Sequence, residues 1–183
     1  MAHHAQRNFC VKIQTMYPKH FSGVSVLDVG SLDINGSNRF LFSGDSTYLG
    51  IDIAAGRGVD AVSKGHEWSA PDNSYDTIIS TECFEHDMFY ELTLKNIVRM
   101  LKPGGMFIFT CATTGRAEHG TTKSDTYSSP LTTKVIEGGW HDYYKNITAK
   151  DVRTAIDVDE IFREYLFEVN RMSHDLYFYG IKH

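Results

Sequence analysis

The sequence lacks a basic run. Its 18 Lys and Arg stand against 23 Asp and Glu in 183 residues, a formal charge of -5. Such a chain cannot neutralise a series of phosphates, so duplex nucleic acid is disfavoured as a partner, although a local basic pocket is not. Cysteine is scarce. Cys10, Cys83 and Cys111 form no CxxC pair and are odd in number, which reads as free thiols in a reducing compartment. No apolar stretch approaches the roughly 20 residues that span a bilayer. The N-terminus also lacks a basic segment followed by an apolar run, so a soluble, cytoplasmic protein without a membrane partner is expected. What is present is a core: 42% of the residues are hydrophobic and 13% aromatic. That excludes disorder, collagen and coiled coil, and it suits a single domain over 1–183.

Apolar runs of strand length recur between segments with helical spacing or turn residues, which predicts an α/β domain with a mostly parallel sheet. Within an N-terminal segment over 1–22, Phe9, Ile13 and Met16, with Val11 and Tyr17 nearby, line one side of a helix that stops near Pro18. Strands are expected at 24–29, 48–53, 59–62, 75–80 and 106–111. A helix is expected over 84–101, stopped by Lys102, Pro103, Gly104 and Gly105. From 112 to 146 the chain turns to Thr, Ser, Gly, His and Tyr with no sustained period. A connection this long is usually functional, and it is read as a substrate lid. Thr148 then caps a helix over 149–156. The runs 162–169 and 175–181, joined by RMSH, form a closing antiparallel hairpin.

Chemistry concentrates at the carboxyl ends of these strands, the edge where open α/β sheets bind ligands. Asp28 and Gly30 end the first strand. A strand turning into a helix there leaves unpaired N–H groups, and Gly30 lets a ligand approach the backbone. Asp52 ends the next strand, about twenty residues on, where an acid accepts hydrogen bonds from ribose hydroxyls. The loop reads G-S-L-D-I-N-G, not GxGxxG, so the tight pyrophosphate cradle of a dinucleotide site is missing.

These residues resemble the class I, Rossmann-like methyltransferases that use S-adenosyl-L-methionine, especially their small-molecule branch. VLDVG is similar to that family's first motif and YLGIDI to its second. PDNSYDTIISTECFEH resembles the segment around its fourth strand, and MLKPGGMFIFT the helix, turn and strand that follow. The resemblance implies helices on both faces of the sheet and a C-terminal antiparallel hairpin. It further implies that Asp28, Gly30 and the backbone of Ser31 and Leu32 face the methionyl part of the cofactor. Asp52 would hold the ribose, with Ile53 against the adenine face. Gly65 and His66 would lie along the adenine edge, and Thr81 and Glu82 would floor the site near the sulfonium. Leu32 or Asp33 replaces the family's second glycine, and Lys64 stands where relatives often carry an acid for the adenine amine, so backbone contacts are expected to substitute for it.

Methyl transfer from a sulfonium asks the protein mainly to align the reactants and exclude water. Where a base is needed, His86, His119 and Tyr143 are the candidates. Arg116, His119, Tyr143 and Tyr144 are the candidates for acceptor binding, and the polar segment suits a sugar or glycan. Trp140, Tyr143 and Tyr144 form either an aromatic wall or the packed base of a loop. Glu82, Glu85 and His86 have the spacing of metal ligands, but no partner ligands are evident, so no metal is expected. Two rival readings stay open: a non-catalytic partner subunit that binds the cofactor, and a nicotinamide dehydrogenase, for which this loop is poorly built. A homodimer or heteromeric partner is compatible with the sequence.

Overall fold

The computed structural model describes residues 4–183; the first three, where the expected N-terminal segment begins, lie outside the described residues. Helix α1 (His4–Met16) buries Gln6, Phe9, Cys10 and Ile13. Met16 and Val11 point outward, so the buried stripe is narrower than the apolar spacing implied. Pro18 opens a short 3-10 turn, where its missing N–H costs nothing.

Seven strands form one sheet: β1 (Ser25–Val29), β2 (Thr47–Asp52), β3 (Ala61–Val62), β4 (Tyr75–Thr81), β5 (Leu101–Ala112), β6 (Phe162–Asn170) and β7 (Asp175–Lys182). Their order is β3-β2-β1-β4-β5-β7-β6. The first five pair in parallel, and β7 runs antiparallel to both β5 and β6. Helices α2 (Tyr90–Met100), α3 (Ala149–Ala155) and α4 (Val158–Ile161) cover one face, packing on Leu27, Ile51, Ile78, Phe107 and Phe109. Helix α1 covers the other, over Val26, Ile79, Met106, Ile108 and Tyr179. Central strands buried on both faces are nearly continuous apolar runs, and Met106 to Ala112 is buried throughout with Thr110 as its one polar residue. The arrangement is the expected Rossmann-like one. Among the described residues no helix is long and apolar enough to cross a membrane.

Three local differences have physical causes. No α-helix follows β1; only a 3-10 turn, Asn38–Leu41, lies between β1 and β2. The intervening Ser31, Asp33, Asn35, Gly36 and Ser37 favour turns, and Asp33 accepts from the Gly36 N–H at 2.7 Å. The helix expected over 84–101 breaks into a 3-10 turn, Phe84–His86, and α2. Asp87 causes the break by accepting from the Phe89 N–H at 2.8 Å and the Thr93 hydroxyl at 2.5 Å. Lastly, KPGG is not a helix-to-strand loop. Strand β5 begins at Leu101, opposite Tyr75, and the next partners are Thr77 and Met106, so residues 102–105 bulge out of a strand.

The 112–146 segment holds two short 3-10 turns, Thr132–Lys134 and Glu137–Asp142. Its C-terminal end is stitched down by the Lys145 N–H to Glu85 O and the Ile147 N–H to Ala112 O, both 2.9 Å. Thr148 caps α3 through a reciprocal box with Asp151.

Candidate functional site

The chain leaves β1 for β2 on one side and returns to β4 on the other, so the crevice beyond the carboxyl ends of β1 and β4 is the topological switch point. A cleft lies there, lined by residues from the ends of β1, β2 and β4 and by the 112–146 segment.

Asp28 and Asp52 share this cleft. Asp52 Oδ2 accepts from the Leu32 N–H at 3.0 Å and Oδ1 from the Ile53 N–H at 2.7 Å, which fixes the carboxylate and leaves each oxygen a lone pair for a further donor. Burial raises its pKa, and the two N–H donors oppose that. Asp28 is 2% exposed; Oδ2 accepts from the Tyr48 hydroxyl at 2.5 Å, while buried Oδ1 has no hydrogen-bond partner. Burial pushes its pKa up to about 7, with the nearby Asp52 charge adding to the rise.

Gly30, Ser31, Leu32, Ile53, Gly65, Thr81 and Glu82 also line the cleft. The first loop is nevertheless built differently from the expected strand-to-helix turn with unpaired N–H groups. Its N–H groups are already used: Gly30 and Ser31 both donate to Ile51 O, at 2.9 and 3.0 Å, and Asp33 donates to Arg57 O at 2.8 Å. Gly30 is also required by packing. Its φ is +81° and a Cβ there would stand 2.5 Å from Cys83 Sγ. Glu82 adopts a left-handed φ of 54°, and Thr110 holds it at both ends, its hydroxyl donating to Glu82 Oε1 at 2.8 Å and its carbonyl accepting from the Glu82 N–H at 2.7 Å. Such backbone strain is typical of ligand sites.

His66 does not line the cleft; its ring packs on Phe89, 4.6 Å between centroids, and Ser63 and Lys64 line the cleft beside Gly65 instead. The 112–146 segment reaches the cleft through Ser128 to Thr132 and Trp140. Arg116 anchors the root of the lid, donating to Ser173 O at 2.6 Å and standing 3.5 Å from Asp175. Tyr144 donates to Asn146 at 2.9 Å, and Tyr143 is half-buried, its hydroxyl pKa pushed up to about 12 by burial. Neither tyrosine, nor His119, lines the cleft. Of the aromatic trio it is Trp140 that does, so the wall is one ring wide and the tyrosines belong to the base of the loop. The Ser128 to Thr132 stretch has no periodicity or motif, and nothing in the sequence separates it from the rest of the lid.

His86 is the catalytic candidate that reaches the cleft. It packs edge-on against His119, with ring centroids 5.1 Å apart, and both lie near Tyr144, at 5.7 and 4.9 Å. Glu85 is completely buried beside them; burial and then the Glu82 charge push its pKa up to about 8.

A family model described as a methyltransferase domain matches residues 1–146. Among solved structures, the chain is similar to the 1,6-didemethyltoxoflavin-N1-methyltransferase of Burkholderia thailandensis, solved with 1,6-didemethyltoxoflavin and S-adenosylhomocysteine bound. Identity is 14%, with 97% of this chain and 78% of that chain covered and a TM-score of 0.63. A SAM-dependent methyltransferase from Aquifex aeolicus is 14% identical, with coverage of 95% and 89% and a TM-score of 0.62. A phosphoethanolamine N-methyltransferase 2 of Haemonchus contortus, in complex with phosphomonomethylethanolamine and S-adenosylhomocysteine, is 16% identical; 96% of this chain and 52% of that one are covered, at a TM-score of 0.63. At these identities the likeness is one of fold. No curated protein matches the chain.

Proposed function

This chain belongs to the methyltransferase-domain family, as an S-adenosylmethionine-dependent enzyme, and from that premise we propose that it methylates a small hydroxyl-rich acceptor, a sugar or the end of a glycan, held under the 112–146 segment. The observation that carries the reading is that Asp28 and Asp52 lie on one rim of one cleft. S-adenosylmethionine supplies an activated methyl carbon whose leaving group is a neutral thioether.

The residues present fit that cofactor. The fixed Asp52 carboxylate, with a lone pair left on each oxygen, suits the two ribose hydroxyls. Asp28 Oδ1, buried and without a partner, suits the methionyl ammonium. Ile53 lies beside Asp52, where an adenine face would rest. The acceptor is assigned to the part of the cleft lined by His86, Ser128 and Trp140. The hydroxyls of Ser128, Ser129 and Thr132 and the ring of Trp140 resemble the lining that sugars favour. In this reading the whole of 1–183 acts as a single unit, with the lid as its acceptor-side wall.

Isothermal titration with S-adenosylhomocysteine tests the cofactor side. Asp52→Ala is expected to weaken that binding by about 2 kcal/mol, roughly thirtyfold, by removing a charge-assisted pair of hydrogen bonds. Unchanged affinity would show that the ribose is held elsewhere. For the acceptor, methyl transfer from labelled S-adenosylmethionine is expected to monosaccharides or oligosaccharides in a panel that also contains small amines; transfer to amines alone would refute the sugar assignment.

A further inference from the structure

We propose that Glu85, His86 and His119 form a binding site for a first-row divalent transition-metal ion, zinc(II) or manganese(II) in class, at the acceptor side of the cleft. Glu85 and His86 belong to the turn Phe84–His86 just beyond β4, and His119 is brought to them by the lid. Sequence spacing supplied two of these ligands and no third; the fold supplies it from thirty-odd residues away. One donor atom from each of the three lies within 4.8 Å of the others.

The cluster is unusual in what it leaves unpaired. Glu85 is 0% and His86 4% exposed. Yet both carboxylate oxygens of Glu85, both ring nitrogens of His86 and Nε2 of His119 are buried without a hydrogen-bond partner. Leaving a buried polar atom unpaired is costly, and a bound ion is one way in which buried carboxylates and imidazoles without partners are completed. His119 carries a further sign. Its Nδ1 lies 3.0 Å from Ala117 O, so Nδ1–H donates there and the Nε2 lone pair is turned toward Glu85 Oε1, 4.0 Å away. That is how metal-bound histidines are usually oriented by a backbone carbonyl.

Two imidazoles and one carboxylate suit zinc, manganese, iron or cobalt better than magnesium or calcium, which prefer all-oxygen shells. Ligand atoms around such an ion stand roughly 3–4 Å apart, so the three must close by about an ångström, and His119 sits on a loop able to supply that movement. Three protein ligands leave coordination open, and because His86 also lines the cleft the open position faces it. There the ion would take an oxygen of the acceptor, a role that rests on the methyltransferase reading; binding of the ion itself does not.

The test uses cobalt(II) as the probe on chelator-stripped full-length protein carrying H3A and H4A, so that the N-terminal histidine pair cannot contribute. Saturable binding near one equivalent is expected, with visible d–d absorption and no thiolate charge-transfer band. Glu85→Gln, which keeps the shape of the side chain, and His119→Ala, which acts from the loop, should each weaken it at least tenfold. Absence of saturable binding, affinity unchanged in both variants, or a charge-transfer band implicating Cys83 or Cys111 would overturn the site. S-adenosylhomocysteine titrations on the same samples separate the two claims: cofactor binding without cobalt binding removes only the metal site, and cobalt binding without cofactor binding removes only the methyltransferase reading.

Discussion

Asp28→Asn should make the ligand-free protein more stable at pH 8 and at the same time loosen its hold on S-adenosylhomocysteine. Burial lifts the Asp28 pKa from 3.8 to about 7. A carboxyl whose folded-state pKa exceeds its unfolded value stabilises the fold only while it keeps its proton. Its contribution is complete below about pH 4, falls as the unfolded chain ionises, and is gone once the pH has passed about 7. A shift of this size corresponds to roughly 4 kcal/mol. The groups that set it are Asp52, which adds to the rise, and Tyr48, Asn38 and Arg39, which oppose it. Asparagine has no such slope and still accepts from the Tyr48 hydroxyl, but its amide leaves a buried donor, so the net gain at pH 8 is expected at about 1–3 kcal/mol. Urea titrations of both proteins at pH 4, 6 and 8 would show the gap opening as the pH rises. A gap of constant size would mean that Asp28 does not titrate in this range. Affinity for the cofactor product should fall at least tenfold at pH 8, because the amide offers no charge to the methionyl ammonium. Such a protein would be sturdier and less functional, the usual exchange at a strained site.

The sheet was legible in the sequence because its central strands are buried on both faces, which favours nearly continuous apolar runs such as MFIFTC, broken only by Thr110, with a turn at each end. The closing hairpin was equally plain, since aromatic and β-branched residues filled both strands around RMSH. Asp28 and Asp52 were legible for a related reason: an acid ending an apolar run stands out. What stayed hidden was decided by side chains bonding locally to backbone. Asp87 splits an otherwise good helical pattern through the Phe89 N–H and the Thr93 hydroxyl. Asp33 helps keep the segment after β1 out of a helix. That the 112–146 segment is irregular was recognisable by length and composition, yet which of its residues would face the cleft was not. Arg116 was a candidate for acceptor binding and bonds Ser173 O, while Trp140 and Ser128 to Thr132 do the lining. A loop without a period carries no information on which side faces inward. For the same reason the meeting of His119 with Glu85 and His86 is visible only in three dimensions.

Gly30→Ala is expected to be strongly damaging, and two glycines allow its causes to be separated. Gly30 sits at φ +81° and Gly104 at φ +73°, so alanine meets a similar left-handed penalty at each, roughly 1–2 kcal/mol. At Gly104 nothing lies within 4 Å of the added Cβ, whereas at Gly30 it would stand 2.5 Å from Cys83 Sγ and 2.6 Å from Cys83 Cβ. Relieving that overlap means moving the end of β1 or the start of the turn after β4, at a cost of about 1–3 kcal/mol more. The displaced backbone is the one whose Gly30 and Ser31 N–H groups bond Ile51 O and whose Leu32 N–H holds Asp52. Cofactor binding should therefore weaken along with stability, which Gly104→Ala, on the 102–105 bulge, should not cause. Adding Cys83→Ala to Gly30→Ala removes Sγ but leaves the Cβ contact, so recovery should be partial; Cys83→Gly clears both and should recover more, short of the left-handed share. Equal losses for Gly30→Ala and Gly104→Ala in chemical denaturation would show that the contact with Cys83 is not what demands a glycine at the end of β1.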